Sequence, residues 1–107
     1  MKIGGLLRYG IPDFKMEKTL IDRRIKQMEK EGVVFKTRVH VGKDLKVTKL
    51  MSNYDAILLS CGSEEARELN VPGRFSKGIC LAMDFLPQQN KLVSKENDNS
   101  KIISAYK

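Results

Sequence analysis

Residues 17–41, EKTLIDRRIKQMEKEGVVFKTRVHV, contain the change of hydrophobic period that decides the predicted fold. In the first part of this stretch Ile21, Ile25 and Met28 recur at helical spacing, while charged side chains fill most of the intervening positions. This pattern predicts an amphipathic helix over 17–31.

The helix has signals at both ends, and the period changes to two directly after it. Asp13 is the candidate N-cap, and Gly32 is a typical C-terminal stop. Over 33–41 apolar or β-branched residues alternate with others, which predicts a strand with one buried face that ends at Gly42. The residues of that face are Val33, Phe35, Thr37, Val39 and Val41.

The remaining chain continues the alternation of helices and strands. A short helix is predicted within 44–52, and the continuous apolar run over 54–60 predicts a buried strand of the parallel-sheet type. Residues 63–78 are typical of a loop, 81–90 of a short helix, and the polar stretch 94–101 of a flexible insert. The order helix, strand, helix, strand predicts part of an α/β sheet, and two strands leave that sheet incomplete.

Composition bounds the possible functions. The chain has 107 residues, 41% of them hydrophobic, and a net charge of +7 that is spread along its length. It has no apolar run long enough for a membrane span and no secretory signal at its start, so neither a membrane nor a secreted protein is expected. Two cysteines and one histidine are too few for a disulfide framework or an ordinary four-ligand zinc site.

A glycine-rich segment, GGLLRYGIP, covers residues 4–12. Three glycines and a proline in so short a stretch predict a loop. The pair Gly4-Gly5 allows another group to approach the main chain closely, although an ordinary turn explains it as well. Because the segment also holds several apolar residues, we expect it to pack against other parts of the protein or to line a site.

Five motifs, in the same order along the chain, resemble the small, NADPH-oxidising subunit of glutamate synthase, and less closely the flavin module of dihydropyrimidine dehydrogenase. The first, GGLLRYGIPDFKMEK, is long and specific, and the others are short. The motifs occupy residues 4–18, 39–44 (VHVGKD), 54–62 (YDAILLSCG), 71–73 (VPG) and 82–91 (AMDFLPQQNK).

The resemblance implies part of a Rossmann-like FAD-binding domain of the pyridine nucleotide–disulfide oxidoreductase type, with an incomplete parallel sheet. Residues 1–92 would belong to that domain, and 93–107 would form a flexible insert and the lead-in to an NADPH-binding domain. In the family, NADPH reduces FAD, and electrons pass to iron–sulfur clusters for glutamate synthesis from glutamine and 2-oxoglutarate. The implied partners are the rest of the same polypeptide and the glutamate synthase large subunit, or a fused large chain, in the cytoplasm or an organelle.

The resemblance also implies the cofactor-binding residues. Gly5, Leu6, Leu7 and Arg8 would line the flavin, Val41 would present its backbone to the adenine of FAD, and Cys61-Gly62-Ser63 would pass against the cofactor. Glycine allows close approach, and an arginine pairs well with anionic oxygens. No catalytic residue and no metal ligand is implied.

The chain departs from the family pattern in three ways. Cys61 stands where the family usually has threonine, no G-x-G-x-x-G motif is present, and the cysteine clusters that hold iron–sulfur centres are missing. The fingerprint loops for FAD and NADPH would therefore lie before and after this chain. We expect an internal piece of a flavoenzyme that has no activity by itself.

Several residues have a simpler explanation beside the functional one. Arg8 could be a solvated arginine, and His40 is more typical of a surface residue than of a base. Cys61 and Cys80 are more typical of buried, inert thiols than of reactive ones, and Asp84 is more typical of a helix cap than of a contact with a neighbouring domain.

Two alternatives to the flavoenzyme remain. The first is a small basic module that binds nucleic acid or another acidic partner, and it depends on the charge of +7 alone. A nucleic-acid partner is not favoured, because such charge is usually concentrated on one face. The second is a degenerate flavoprotein piece kept for interaction only, which depends on the change at Cys61.

Overall fold

A computed structural model describes residues 2–96 and 103–104 of the chain. This part contains four helices, which are α1 (Gly5–Tyr9), α2 (Lys18–Lys30), α3 (Val47–Asn53) and α4 (Ala82–Val93). The short helix α1 packs against both α2 and α4. The first and last predicted segments of the family resemblance thus meet in space around α1.

Helix α2 confirms the amphipathic pattern over 17–31. Glu17 and Glu31 are its N-cap and C-cap, and Ile21 is buried against the rest of the protein. The prediction of Asp13 as the N-cap is wrong, because the helix begins one turn later. Instead, the Asp13 carboxylate lies 3.3 Å from Lys18 Nζ.

Helices α3 and α4 also lie where the sequence places them. Helix α3 ends one residue beyond the predicted range 44–52, and α4 extends beyond the predicted range 81–90 to Val93. Pro87 lies inside α4. Since proline has no N–H to donate to the preceding turn, it removes one hydrogen bond from the helix.

The prediction of a loop over the whole of 4–12 is wrong, because Gly5–Tyr9 form a helix. Gly4 precedes this helix with φ 130°, a backbone conformation that residues other than glycine rarely adopt. The Gly10 N–H then donates to the Leu6 carbonyl at 2.8 Å and closes the turn. The glycines therefore mark the two ends of α1 rather than a continuous loop.

The predicted strand over 33–41 does not form in this structure. Arg38 has φ 58°, in the left-handed region, and this interrupts the extended backbone that the alternating pattern requires. The following residues turn at 42–44, and a single isolated bridge joins Val41 to Leu45.

The second predicted strand, over 54–60, is neither paired nor buried, and all of its residues are exposed. A strand is stable only when neighbouring strands satisfy its backbone groups and other elements cover its faces. Within residues 2–96 and 103–104 no strand provides this. The predicted incomplete parallel sheet is therefore not found in the described part of the chain.

The buried residues of the described part are few and mostly polar. Only Tyr9 and Ile21 are buried apolar or aromatic residues, and the buried polar ones are Arg8, Lys18, Gln88 and Asn90. The centre of the fold is thus a network of hydrogen bonds around α1 and not an apolar core.

The predicted flexible insert over 94–101 lies partly inside the described residues. Residues 94–96 continue from α4, and the Glu96 N–H donates to the Lys91 carbonyl at 2.9 Å. Residues 97–102 and 105–107 lie outside the described part, and so does most of the predicted insert. Ile103 returns to α4, where its N–H donates to Gln88 Oε1 at 2.7 Å.

Candidate functional site

Arg8 is one of the two buried residues of the glycine-rich segment over 4–12. It is only 4% exposed. Its Nε donates to the Ile3 carbonyl at 2.6 Å, and its Nη2 forms an ion pair with Asp22 of α2. Nη2 thus joins α1 to α2, and Nε holds the segment before α1. Arg8 is therefore not the solvated arginine of the simpler explanation.

Tyr9 joins the same helix to α4. Its carbonyl accepts a hydrogen bond from Asn90 Nδ2 at 2.8 Å, and both groups are buried. Its hydroxyl donates to Glu96 Oε2 at 3.0 Å and accepts from the Lys2 N–H at 2.7 Å. Burial raises the pKa of the Tyr9 hydroxyl above its usual 10.0; the Lys2 N–H opposes this shift, and Glu96 adds to it.

Lys18 fixes the segment between α1 and α2. Its ammonium group donates to the carbonyls of Ile11 and Met16, at 2.6 and 3.0 Å. A buried ammonium is stable only when such partners replace its water. Arg8, Tyr9 and Lys18 therefore hold the backbone of the glycine-rich motif in one position.

Gly4 and Gly5, at the start of α1, form part of one wall of a cleft. The cleft has a volume of about 350 Å³, within the range of small-molecule sites. Its lining residues are Lys2, Ile3, Gly4, Gly5, Phe35, Lys36, Thr37 and Arg38. Gly5 has φ 48°, and a Cβ added there would meet nothing within 4 Å, so its bare backbone faces open space.

Three basic side chains line this glycine cleft. They are Lys2, Lys36 and Arg38. Positive charge along the wall of a cleft attracts anionic ligands and raises their local concentration. Lys2 also lies 3.6 Å from the Glu96 carboxylate. The arrangement of exposed glycine backbone and basic side chains suits a phosphate-bearing ligand.

Val41 lies at a different cleft, of about 410 Å³. Its walls are mostly apolar and come from the segment after α2 and from α3. The lining residues are Val34, Lys36, Val39, Val41, Leu45, Leu50 and Tyr54. Lys36 lines both clefts, so they adjoin at this residue.

Other predicted site residues lie apart from these clefts. Neither lining includes Cys61, Gly62 or Ser63, and all three are exposed. The expectation of buried, inert thiols is wrong, because Cys61 and Cys80 are both exposed free cysteines.

Two further expectations concern charged or titratable residues. His40 is exposed, as expected of a surface histidine. Asp84 lies in the first turn of α4 and not at its cap, since Leu81 is the N-cap. A carboxylate in that turn favours the helix through its dipole.

Sequence reasoning missed the residues that position the motif. Asn90 is a buried amide on α4 that donates to the Tyr9 carbonyl, whereas the buried Gln88 accepts from the Ile103 N–H. The polar run QQN at 88–90 was the available signal. The basic residues Lys36 and Arg38 fall on the face of the predicted strand opposite its apolar residues. Both residues line the glycine cleft because the backbone changes direction at Arg38, and the hydrophobic periodicity of the sequence does not predict that change.

The described residues contain neither a cluster of metal ligands nor a membrane-spanning helix. In the part of the chain that the structure describes, no group of three or more histidine, cysteine or acidic residues could hold a metal ion. The helices of that same part include none with the length and apolarity needed to cross a bilayer.

Comparison with known proteins gives clear relatives. The chain is 50% identical over 91 residues to the glutamate synthase [NADPH] small chain of Mycobacterium tuberculosis (strain H37Rv), a match that covers 85% of this chain and 19% of that protein. It is 40% identical over 100 residues to the Bacillus subtilis small chain, covering 94% of this chain and 20% of the relative. The chain is homologous to a segment of glutamate synthase small chains. The resemblance of its motifs is thereby confirmed.

A longer glutamate synthase contains the same segment. The chain is 45% identical over 105 residues to glutamate synthase [NADH] of Schizosaccharomyces pombe, which covers 95% of this chain and 5% of the relative. The chain thus spans about a fifth of the small chains and much less of the yeast protein. No protein-family model and no solved structure matches it.

Proposed function

We propose that this chain is a segment of the FAD-binding part of a glutamate synthase that oxidises a reduced nicotinamide nucleotide. The observation that carries the proposal is the 50% identity over 91 residues to a glutamate synthase small chain. Residues 1–92 would belong to the FAD-binding domain, and 93–107 would lead into the NADPH-binding domain. The relatives give no support to a basic module for nucleic acid.

The glycine cleft is the part of this chain that best fits FAD. Gly5 presents backbone to open space. Leu6 and Leu7, the next two residues, are half-exposed but are not among the residues that line this cleft. When bound, FAD accepts a hydride from NADPH and passes electrons on toward iron–sulfur clusters. The chain's own contribution would be to hold a rigid backbone against the cofactor.

Arg8 would have a positioning role in this site. It is buried and paired with Asp22 and the Ile3 carbonyl, so it would fix α1, which begins at Gly5. Whatever contact it makes with FAD would come from the remaining guanidinium nitrogen. The basic pair Lys36 and Arg38 would instead attract the anionic part of the cofactor.

Val41 and the triplet 61–63 would contribute from the rest of the FAD domain. Val41 lines the apolar cleft that adjoins the glycine cleft, which suits a flat aromatic ring such as adenine. Cys61, Gly62 and Ser63 follow the predicted strand 54–60 and would reach FAD once that strand is in a sheet. Ligands bind at the carboxyl ends of strands in open α/β sheets.

The whole enzyme would make glutamate from glutamine and 2-oxoglutarate, with a large subunit or a fused large chain as partner. The NADPH-binding loop would lie outside residues 1–107. The cytoplasm, or an organelle, is the proposed location.

A chimera tests this function directly. The 91 residues of the M. tuberculosis small chain that match this chain are replaced by the corresponding residues of this chain, and the product is co-expressed with the large chain. We expect NADPH-dependent formation of glutamate from glutamine and 2-oxoglutarate. A chimera that folds as the parent does, with the same circular dichroism spectrum, but forms no glutamate would contradict the proposal.

A further inference from the structure

The second half of α4 carries a run of three amide side chains that do not line the proposed cofactor clefts. They are Gln88, Gln89 and Asn90, of which Gln88 and Asn90 are buried. A buried amide is costly unless its oxygen and nitrogen find hydrogen-bond partners. The partners of these amides therefore show what α4 holds in place.

The two glutamines hold one residue that lies well beyond the end of the helix. The Ile103 N–H donates to Gln88 Oε1 at 2.7 Å, and Gln89 Nε2 donates to the Ile103 carbonyl at 3.4 Å. Ile103 makes no backbone–backbone hydrogen bond to another described residue. In the described part of the chain, its backbone is therefore held by side chains of α4.

Asn90 holds a different face of α4 against α1. Its Nδ2 donates to the buried Tyr9 carbonyl at 2.8 Å. Since an α-helix turns by about 100° per residue, Gln88 and Asn90 leave the helix axis about 200° apart. Helix α4 therefore contacts α1 and Ile103 through different faces and links the two.

The segment that follows α4 is also tied to α1 before it returns at Ile103. The Glu96 carboxylate accepts from the Tyr9 hydroxyl at 3.0 Å and lies 3.6 Å from Lys2 Nζ. Residues 96 and 103 are thus both fixed against the helices. Ordering two points of a connecting segment costs conformational entropy. A connection that needs no defined geometry could remain free, so this one indicates a geometric requirement.

Hydride transfer in the proposed enzyme has such a requirement. In this step NADPH becomes NADP⁺ while FAD takes up the hydride with its two electrons, and the reacting atoms must lie in near contact. A displacement of about 1 Å can lower the rate of a reaction of this kind about 100-fold. The position of the NADPH-binding domain relative to the glycine cleft would therefore set the rate.

We propose that Gln88 and Gln89 are positioning residues, which fix Ile103 against α4 and so set where the chain enters the NADPH-binding domain. This inference rests on the proposed function, since it takes the FAD- and NADPH-binding domains of that enzyme as the two parts that are aligned. Neither glutamine touches a cofactor in this account. Asn90 completes the link to the glycine cleft through Tyr9 of α1.

Substitutions at Gln88 test the link in the M. tuberculosis chimera, extended so that this chain supplies every residue through Lys107. Gln88→Met keeps the approximate shape but cannot accept from the Ile103 N–H as an amide oxygen does, whereas Gln88→Glu keeps an accepting oxygen. At saturating NADPH, stopped-flow absorbance should show bound FAD being reduced at least about 10-fold more slowly in Gln88→Met. Gln88→Glu should recover most of the rate of the unsubstituted chimera.

The matched control is Gln27→Met, which makes the same change at an exposed residue of α2 and should leave the rate unchanged. Each rate constant is measured on FAD-loaded protein, so a variant that merely folds less well loses flavin without a slower reduction. An unchanged rate constant in Gln88→Met would overturn the proposal, as would a Gln88→Glu variant as slow as Gln88→Met. If Gln88→Met does not fold, Gln89→Met, at a half-exposed position, takes its place, and an unchanged rate there would also overturn the proposal.

Hydrogen exchange of the Ile103 amide measures the contact itself. The amide should be protected in the unsubstituted chimera and exchange at least about 10-fold faster in Gln88→Met. An unprotected amide in the unsubstituted chimera would overturn the proposal. Failure of the proposed function has a different result: a folded chimera without FAD would reject that function and this inference with it, whereas an FAD-loaded, active chimera that tolerates Gln88→Met would reject the inference alone.

Discussion

The guanidinium of Arg8 forms an ion pair with the Asp22 carboxylate, and this contact joins α1 to α2 across fourteen residues of sequence. Arg8 is buried, whereas the Asp22 side chain is half-exposed. The pair orients α1, which begins at Gly5, and so fixes one wall of the glycine cleft. The stability of the motif therefore depends on a residue outside it.

Replacing Asp22 by asparagine should destabilise the chain by about 1–3 kcal/mol, because it leaves the buried Arg8 charge without its counter-ion. Urea unfolding followed by circular dichroism measures this change. Glu29→Gln is the matched control, since it removes an acid from the exposed part of the same helix, and it should change the free energy of unfolding by less than about 0.5 kcal/mol. Equal effects of the two variants would contradict the role given to the ion pair.

Replacing Asn90 by aspartate should also cost about 1–3 kcal/mol, because a carboxylate cannot donate to the buried Tyr9 carbonyl. The side chain keeps its shape, so the change reports the lost donor and the buried charge rather than a cavity. Asn70→Asp introduces the same charge at an exposed position. Equal melting temperatures of the two variants would show that the hydrogen bond from Asn90 to the Tyr9 carbonyl does not hold α4 against α1.

The raised pKa of the Tyr9 hydroxyl predicts that the free energy of unfolding depends on pH in the alkaline range. This pKa is raised in the folded state, mainly by burial. Because the pKa is raised, the contribution of the protonated Tyr9 hydroxyl to folding stability is fully present below the unfolded pKa of 10.0. This contribution is lost as the pH rises through the pKa of the folded state. The free energy of unfolding should therefore fall above pH 10, and less steeply in Tyr9→Phe. Identical pH profiles for the two proteins would show that Tyr9 is not the group responsible.

Replacing Gly5 should reduce the affinity for FAD, an effect that goes beyond its cost in folding stability. In the chimera, Gly5→Ala should weaken FAD binding several-fold in a fluorescence titration, because a methyl group would occupy the open space beside the backbone. Gly32→Ala is a close control: its φ is also positive, at 93°, and it too has open space, but it lies at the end of α2. Each change should cost about 1–2 kcal/mol in stability. Equal loss of FAD affinity in both would remove Gly5 from the site.

The basic wall of the glycine cleft gives a salt-dependent prediction. Replacing Lys36 and Arg38 together by alanine in the chimera should weaken FAD binding and reduce its sensitivity to salt, since exposed charges are screened by ions. The control is Lys43→Ala combined with Lys46→Ala, which removes two exposed basic residues outside that cleft. Unchanged salt dependence in the first variant would exclude these residues from binding an anion.

The helices could be predicted from the sequence because their apolar spacing is local. Helix α2 shows this most clearly, with Ile21 buried as its pattern requires. Residues 33–41 and 54–60 have strand patterns, but a strand also needs neighbours, and period alone does not reveal whether the chain supplies them. Arg38 and Asn90 show the same limit for the site, because a left-handed residue and a bond across 81 residues depend on tertiary structure.

The FAD content of the purified chimera tests the central claim most directly. The absorbance of released flavin, divided by the polypeptide concentration, gives the number of cofactors bound to each chain. We predict about one FAD for each chimera, equal to the M. tuberculosis parent measured in parallel. A chimera with the circular dichroism spectrum and melting temperature of the parent but with no flavin would contradict the claim that this segment is part of an FAD-binding domain.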